Sequence, residues 1–380
     1  MAVNGPTAHP GHPGHPVRTV AVLGSTGFLG AQVCTTLEAA GLTVHRITRD
    51  RLDLAEATPE RLAEVLARCA PEVVVNAAGA VWGVTDQQMG LLNEEVPRAL
   101  AGAAGLLPRP FRIVHPGSVH EYGPTPPGGP VTEDRRPEPV GVYGRTKARG
   151  SRAVVAAGGV VLRLSNVIGP GAPADSLPGV VARQLALAAA EAAAGRPVPE
   201  LRLAPLVSYR DFVDVRDAAD AVSAAALATC TGRVFNIAAG EPVPVRLLVR
   251  RMVELSGLPV RIVEEGEAGN PRGGADRQLL DISAAGRDLG WRPRRSLDRS
   301  LRDLLAPIGL PGAFEPTGAR SRDSGPRPEC RTEQRGSEDD RSEGSSARRG
   351  AEVPRGAAEQ SPVRARRHRD LAVGGGAGGR

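Results

Sequence analysis

The sequence predicts an α/β fold built on a doubly wound parallel sheet, and two observations carry that expectation. A strand-like apolar run, Val17 to Leu23, passes through a glycine-rich turn, Gly24 to Gly30, into the helically spaced segment Ala31 to Ala40. Short apolar runs then keep alternating with helically spaced segments, and strands joined by helices of this length form right-handed βαβ units with parallel strands.

Val44 to Thr48 reads as the second strand, Pro59 to Cys69 as a helix, and Glu72 to Ala77 as a strand whose continuous valines suit a sheet covered on both faces. Strands follow at Phe111 to His115 and Val160 to Leu164, with a helix from Val142 to Ala157 between them. The second half is less regular. It offers helices over Ala182 to Ala194, Asp217 to Ala228 and Arg246 to Ser256, and short strands at Arg233 to Ile237 and Val260 to Val263. At the two ends the pattern stops. Proline at every third position from Pro10 to Pro16 excludes helix and sheet, so residues 1–16 are expected to form a disordered leader. From 312 to 380 Gly, Pro, Ser, Arg and Glu dominate without apolar periodicity, which predicts a disordered tail.

With 41% hydrophobic residues in 380, the chain can bury a full core. No run of about 18 apolar residues and no signal-peptide pattern occurs, so a cytoplasmic protein without a membrane partner is expected. Cys34, Cys69, Cys230 and Cys330 show no CxxC spacing and suggest neither a metal site nor a disulfide frame. The net charge of +6 is half accounted for by residues 315 to 380, where 14 Arg face 11 Asp plus Glu. No basic stripe interleaved with aromatics remains, so nucleic acid is not an expected partner. The basic residues say more: among 48 Lys plus Arg the single lysine is Lys147. A chain this biased toward Arg keeps lysine where a compact ammonium on a flexible stem is needed.

The turn Gly24-Ser25-Thr26-Gly27-Phe28-Leu29-Gly30 has the context a dinucleotide fingerprint requires, a strand before it and a helix after it. Its glycines permit the tight turn and the approach of a pyrophosphate, and the helix start offers free N–H groups to the phosphates. Gly24, Thr26, Gly27, Phe28, Leu29 and Gly30 are therefore the candidate cofactor contacts. The segment after the second strand is Thr48-Arg49-Asp50. Arg49 favours the 2′-phosphate of NADP(H), while Asp50 keeps NAD(H) open. Asp53 and Leu54 are placed to reach the adenine edge, and Ala77-Ala78-Gly79 to let the cofactor pass. Residues 17–170 are thus expected to form a Rossmann-type dinucleotide-binding domain, and 171–311 a smaller substrate-binding region interleaved with the last strands of the sheet.

Tyr143 and Lys147 stand four residues apart, on one face of the predicted helix. A phenol with a pKa near 10 is a poor base at neutral pH, and a neighbouring cation lowers that value by stabilising the phenolate. Such a pair can exchange a proton with a substrate oxygen, which Ser118, just after the preceding strand, can hydrogen-bond.

Over roughly residues 17 to 308 the sequence resembles the extended short-chain dehydrogenase/reductases of the NAD-dependent epimerase/dehydratase group. The matching segments include the glycine turn, Val142-Tyr143-Gly144-Arg145-Thr146-Lys147, Leu162 to Pro170, Arg210 to Val215, and Leu289 to Pro293. The resemblance implies a Ser118, Tyr143, Lys147 triad with Asn93 as a fourth member of a proton relay. It also implies a nucleotide-sugar substrate whose phosphates lie near Asn166, with Arg210 and Arg272 as arginine contacts; solvated surface charge is the alternative reading of both arginines. His120 and Trp82 either line the sugar pocket or only pack.

Within the group, the run from Arg49 to Leu54 and the segment VYGRTKARG are similar to the dTDP-4-dehydrorhamnose reductases. Val119-His120 stands where a 4,6-dehydratase carries Asp-Glu, which speaks against dehydration. The expected activity is NAD(P)H-dependent reduction of the 4-keto group of a dTDP-linked 6-deoxysugar, supplying a deoxysugar for a secondary metabolite. An NAD-dependent epimerase is the alternative, and a non-catalytic NAD(P)-sensing protein, against which the intact triad argues, is the third reading. A homodimer is compatible with any of them.

Overall fold

The computed structural model describes residues 17–124, 129–266 and 277–308. The expected leader and tail, and Arg272, lie outside the described residues.

The first half alternates as the sequence suggests: β1 (Thr19–Leu23), α1 (Phe28–Ala39), β2 (Thr43–Ile47), α2 (Pro59–Ala67) and β3 (Val73–Asn76). A helical stretch follows that the sequence did not announce. It runs as α3 (Asp86–Gly90), one π-helical turn over Leu91–Glu95, and α4 (Val96–Ala104). Then come β4 (Arg112–Ser118), α5 (Val142–Ala156) and β5 (Val160–Leu164). The remainder is β6 (Asn166–Ile168), α6 (Leu177–Ala193), β7 (Leu201–Leu203), β8 (Tyr209–Asp214), α7 (Val215–Leu227), β9 (Val234–Ile237), β10 (Pro242–Pro244), α8 (Val245–Ser256), β11 (Ile262–Glu264), α9 (Ser283–Asp288) and α10 (Leu297–Leu305).

Six strands form one parallel sheet in the order β2-β1-β3-β4-β5-β9. Helices cover both faces, as a buried parallel sheet requires. The pleat shows it in β1: Val20 and Val22 enter the core formed with α1 and α7, while Ala21 and Leu23 enter the core formed with α2, α4 and α5. A third core joins α6, α8 and α10 through Leu185, Leu248, Met252 and Leu301, beside the small β10-β8-β6 and β11-β7 sheets.

Several boundaries differ from expectation for identifiable reasons. The strand expected to end at His115 continues through Pro116 and Gly117 to Ser118, because β5 pairs with it to the end, Ser118 opposite Leu164. α1 begins at Phe28 rather than Ala31, with its third residue, Gly30, packed against the turn. α6 begins at Leu177 rather than Ala182, capped by the Ser176 hydroxyl with Pro178 in its first turn. The strand expected at Val260 to Val263 forms over Ile262–Glu264.

Candidate active site

The chain order of the sheet reverses between β1 and β3, and in open α/β sheets ligands bind at such a switch point. The glycine turn lies there. Gly24 has φ +72°, and a Cβ on it would stand 2.6 Å from the Ala78 nitrogen; one on Gly30 would collide with the Gly24 carbonyl. The turn closes through Gly27 N–H donating to the Gly24 carbonyl at 3.0 Å. Gly27 also caps α1, with no side chain satisfying the helix N–H groups and no acid in the first turn, so those donors stay available to a phosphate. An open groove of about 350 Å³ runs here between Thr26, Gly27, Phe28 and Gln32 on one side and Pro170 and Gly171 on the other. Beside it, the buried Ser25 hydroxyl and Asn76 amide lack hydrogen-bond partners among the described residues. A cradle with no room for a Cβ at Gly24 or Gly30, with unspent donors, fits a pyrophosphate.

At the end of β2, the Arg49 side chain is 85% exposed and pairs with Asp53 at 3.0 Å. Asp53 also accepts from the Ala55 N–H, starting the short 3-10 turn Leu54–Glu56. That N–H first, then Arg49, holds the Asp53 carboxyl below its usual range, and the Thr48 hydroxyl does the same for Asp50. Arg49, Asp53 and Leu54 thus form one short surface segment beyond β2.

Tyr143 and Lys147 sit on α5, whose N-cap, Gly141, leaves the first turn open. Tyr143 is half-buried and Lys147 one turn later is 5% exposed. The Lys147 ammonium donates to the Pro116 carbonyl at 2.5 Å. Burial pulls its pKa down from 10.5 to about 8, with the nearby Glu121 charge opposing the fall.

Ser118 ends β4, buried at 5% exposure, and its hydroxyl accepts from the His120 N–H at 3.2 Å. The His120 ring stands edge-on to the Tyr143 ring, centroids 5.6 Å apart. Asn93 lies in the π turn, a device that often re-aims a side chain at a functional site. It is wholly buried and clasps Ala80, accepting from its N–H at 3.0 Å and donating to its carbonyl at 2.7 Å. A Cβ on Gly79 would stand 3.2 Å from the Asn93 amide oxygen and 3.9 Å from the Lys147 ammonium. Gly79 is therefore the gap across which Asn93 and Lys147 face each other.

The residues expected to hold substrate are less gathered. Asn166 on β6 donates to the Asp211 carbonyl at 2.9 Å and to Gln278 at 2.8 Å. Arg210 on β8 is 9% exposed and donates to the Tyr209 carbonyl, so it is not a solvated surface charge. Trp82 is half-buried.

One buried group, Glu121, is not singled out by residue-by-residue reading of the sequence. Glu121 is fully buried and accepts from the Ser118 N–H at 2.8 Å, the Ser151 hydroxyl at 2.8 Å and the Arg163 guanidinium at 2.9 Å. Arg163 in turn covers the Tyr122 ring at 4.4 Å. The signal was present: Ser118-Val119-His120-Glu121 is a capping-box spacing, and both of its hydrogen bonds form.

A parallel sheet with its glycine cradle at the β1/β3 reversal puts the molecule among the Rossmann-type α/β proteins. More narrowly, the chain belongs to the NAD dependent epimerase/dehydratase family, whose model matches residues 20–238. A dTDP-6-deoxy-L-talose 4-dehydrogenase (NAD(P)(+)) from Kitasatospora kifunensis is 39% identical over 75% of this chain and 94% of its own length. A dTDP-4-dehydrorhamnose reductase from Streptomyces griseus is 33% identical over 40% of this chain and 51% of its own. Among solved structures, the fold matches RMD from Pseudomonas aeruginosa, complexed with NADPH, with a TM-score of 0.66 at 22% identity, over 77% of this chain and 99% of that one.

Proposed function

We propose that the chain catalyses NAD(P)(H)-dependent oxidoreduction at C4 of a dTDP-linked 6-deoxysugar, working as a 4-ketoreductase. The carrying observation is the burial of the single lysine against the strand that ends in Ser118, on the helix that bears Tyr143. The Kitasatospora relative supports the carbon assignment, since a 4-dehydrogenase oxidises at C4, the reverse of ketone reduction.

When bound, the reduced nicotinamide supplies the hydride. The protein's own groups handle the oxygen. The Ser118 hydroxyl hydrogen-bonds the carbonyl, and Tyr143 gives its phenolic proton to the oxygen as the C4 carbon accepts the hydride, leaving a C4 alcohol and a phenolate. The Lys147 ammonium stabilises that phenolate until a solvent proton replaces the one transferred. Asn93, clasped to Ala80, keeps the wall at Gly79 in place beside the ammonium.

NADP(H) is the favoured cofactor, because an exposed guanidinium stands beyond β2, where the ribose 2′ substituent is read. NAD(H) is the alternative, given the acids Asp50 and Asp53 around it. The test is incubation with NADPH or NADH and a panel of dTDP-4-keto-6-deoxysugars. Stoichiometric cofactor oxidation supports the ketoreductase. Protein that purifies with tightly held nicotinamide and interconverts dTDP-sugars without net oxidation is an epimerase instead.

A further inference from the structure

We propose that Glu121 is the positioning residue of this site, its buried carboxylate fixing the Ser118 backbone and serving as the counter-charge of the Lys147 ammonium. The inference deepens the proton-transfer reading above and rests on it. Three observations converge on the carboxylate.

Glu121 joins three elements that the chemistry needs in register. It accepts from the Ser118 N–H at the end of β4, from Ser151 on α5, and from Arg163 on β5. Ser151 lies one turn after Lys147, as Lys147 lies one turn after Tyr143, so the carboxylate holds the α5 face that carries the pair. The second observation is the tightness of the fit. A Cβ on Gly117 would stand 2.5 Å from a Glu121 oxygen and 3.2 Å from the Ser151 hydroxyl. The third is adjacency: Lys147 holds the Pro116 carbonyl, and Glu121 holds the Ser118 N–H two residues on. Cation and anion grip the same short stretch of β4.

The other groups around the ammonium do not replace this anion. His115 on β4 is wholly buried, and burial first, then the Lys147 charge, keeps its ring neutral. Tyr143 shares the helix, Asn93 is uncharged, and Arg163 is a cation paired to Glu121 at 2.9 Å. Glu121 is thus the negative charge that opposes the desolvation of Lys147.

The single lysine makes the test direct. In full-length protein labelled at lysine Cε with carbon-13, one resonance titrates, and it reports Lys147 alone. Glu121→Gln is expected to move that titration down by about one pH unit, because the ammonium loses its counter-charge. Arg163→Met, which leaves the carboxylate without its guanidinium, is expected to move it up. Should Glu121→Gln fail to fold, Glu121→Leu with Arg163→Met removes both members of the ion pair, so that neither is left buried without the other, and the downward shift is expected there. An unchanged lysine titration in a folded variant overturns the proposal, whatever its melting temperature, since a merely structural role moves stability without moving this resonance. No substrate is needed, so this failure is separable from failure of the ketoreductase reading, which turns on Tyr143.

Discussion

The Lys147 ammonium reaches from α5 to the Pro116 carbonyl at 2.5 Å, two residues before Ser118 on the same strand. The helix that bears Tyr143 and the strand that ends in Ser118 are thereby locked together. The contact holds the cation in a buried place, and its energetic consequence is measurable.

Lys147 has a folded pKa of about 8 against an ordinary 10.5, so the unfolded chain holds that proton more tightly. Between these values the unfolded state binds more protons, and stability rises with pH. Below pH 8 the cost is constant, on the order of 3 kcal/mol. The difference in unfolding free energy between wild type and Lys147→Met should therefore shift in favour of wild type as pH climbs from about 8 to 10.5. Denaturant midpoints across that range check it, and a flat difference would mean that Lys147 titrates as an ordinary surface lysine.

Gly24→Ala should cost at least about 2 kcal/mol, combining positive-φ strain with a Cβ driven to 2.6 Å from the Ala78 nitrogen. The clash displaces the cradle itself, so nicotinamide affinity should fall with stability. Thermal melts with and without NADPH separate the two losses.

Arg49→Ala should raise the KM for NADPH about tenfold, the worth of one charge-assisted hydrogen bond, while leaving the KM for NADH nearly unchanged. Among the described residues Arg49 pairs at the surface with Asp53, so little stability should be lost. Equal changes for both cofactors would remove Arg49 from 2′-phosphate recognition.

Asn93→Ala leaves the buried Ala80 N–H and carbonyl without their partner and should destabilise the fold by about 1–3 kcal/mol. Because Asn93 flanks the gap at Gly79 opposite Lys147, kcat should fall at a temperature where the variant is still folded. Circular dichroism and turnover on the same sample decide it.

Much of this architecture was legible because its signals are local. β5 was read to the residue at Val160 to Leu164, and α5 to within one residue, since an apolar run and a helical period specify each without help. In β4, proline lacks the N–H that an inner strand uses, which argues against a strand through Pro116. The long-range pairing with β5 decided otherwise. The π turn at Asn93 was hidden because Gly90 and Pro97 interrupt any helical period there. β6, β7 and β10 are three residues each, too short for periodicity to register. The Tyr143 and Lys147 pair was visible from spacing and from the rarity of lysine. Glu121 was not, because its role depends on Ser151 and Arg163, 30 and 42 residues away in sequence.

Tyr143 as the proton donor is the step on which the proposed chemistry turns. Turnover of a dTDP-4-keto-6-deoxysugar with NADPH, followed by nicotinamide absorbance, should drop by about a hundredfold or more in Tyr143→Phe, while the NADPH dissociation constant stays within a few-fold of wild type. A Tyr143→Phe enzyme that keeps wild-type kcat would contradict it.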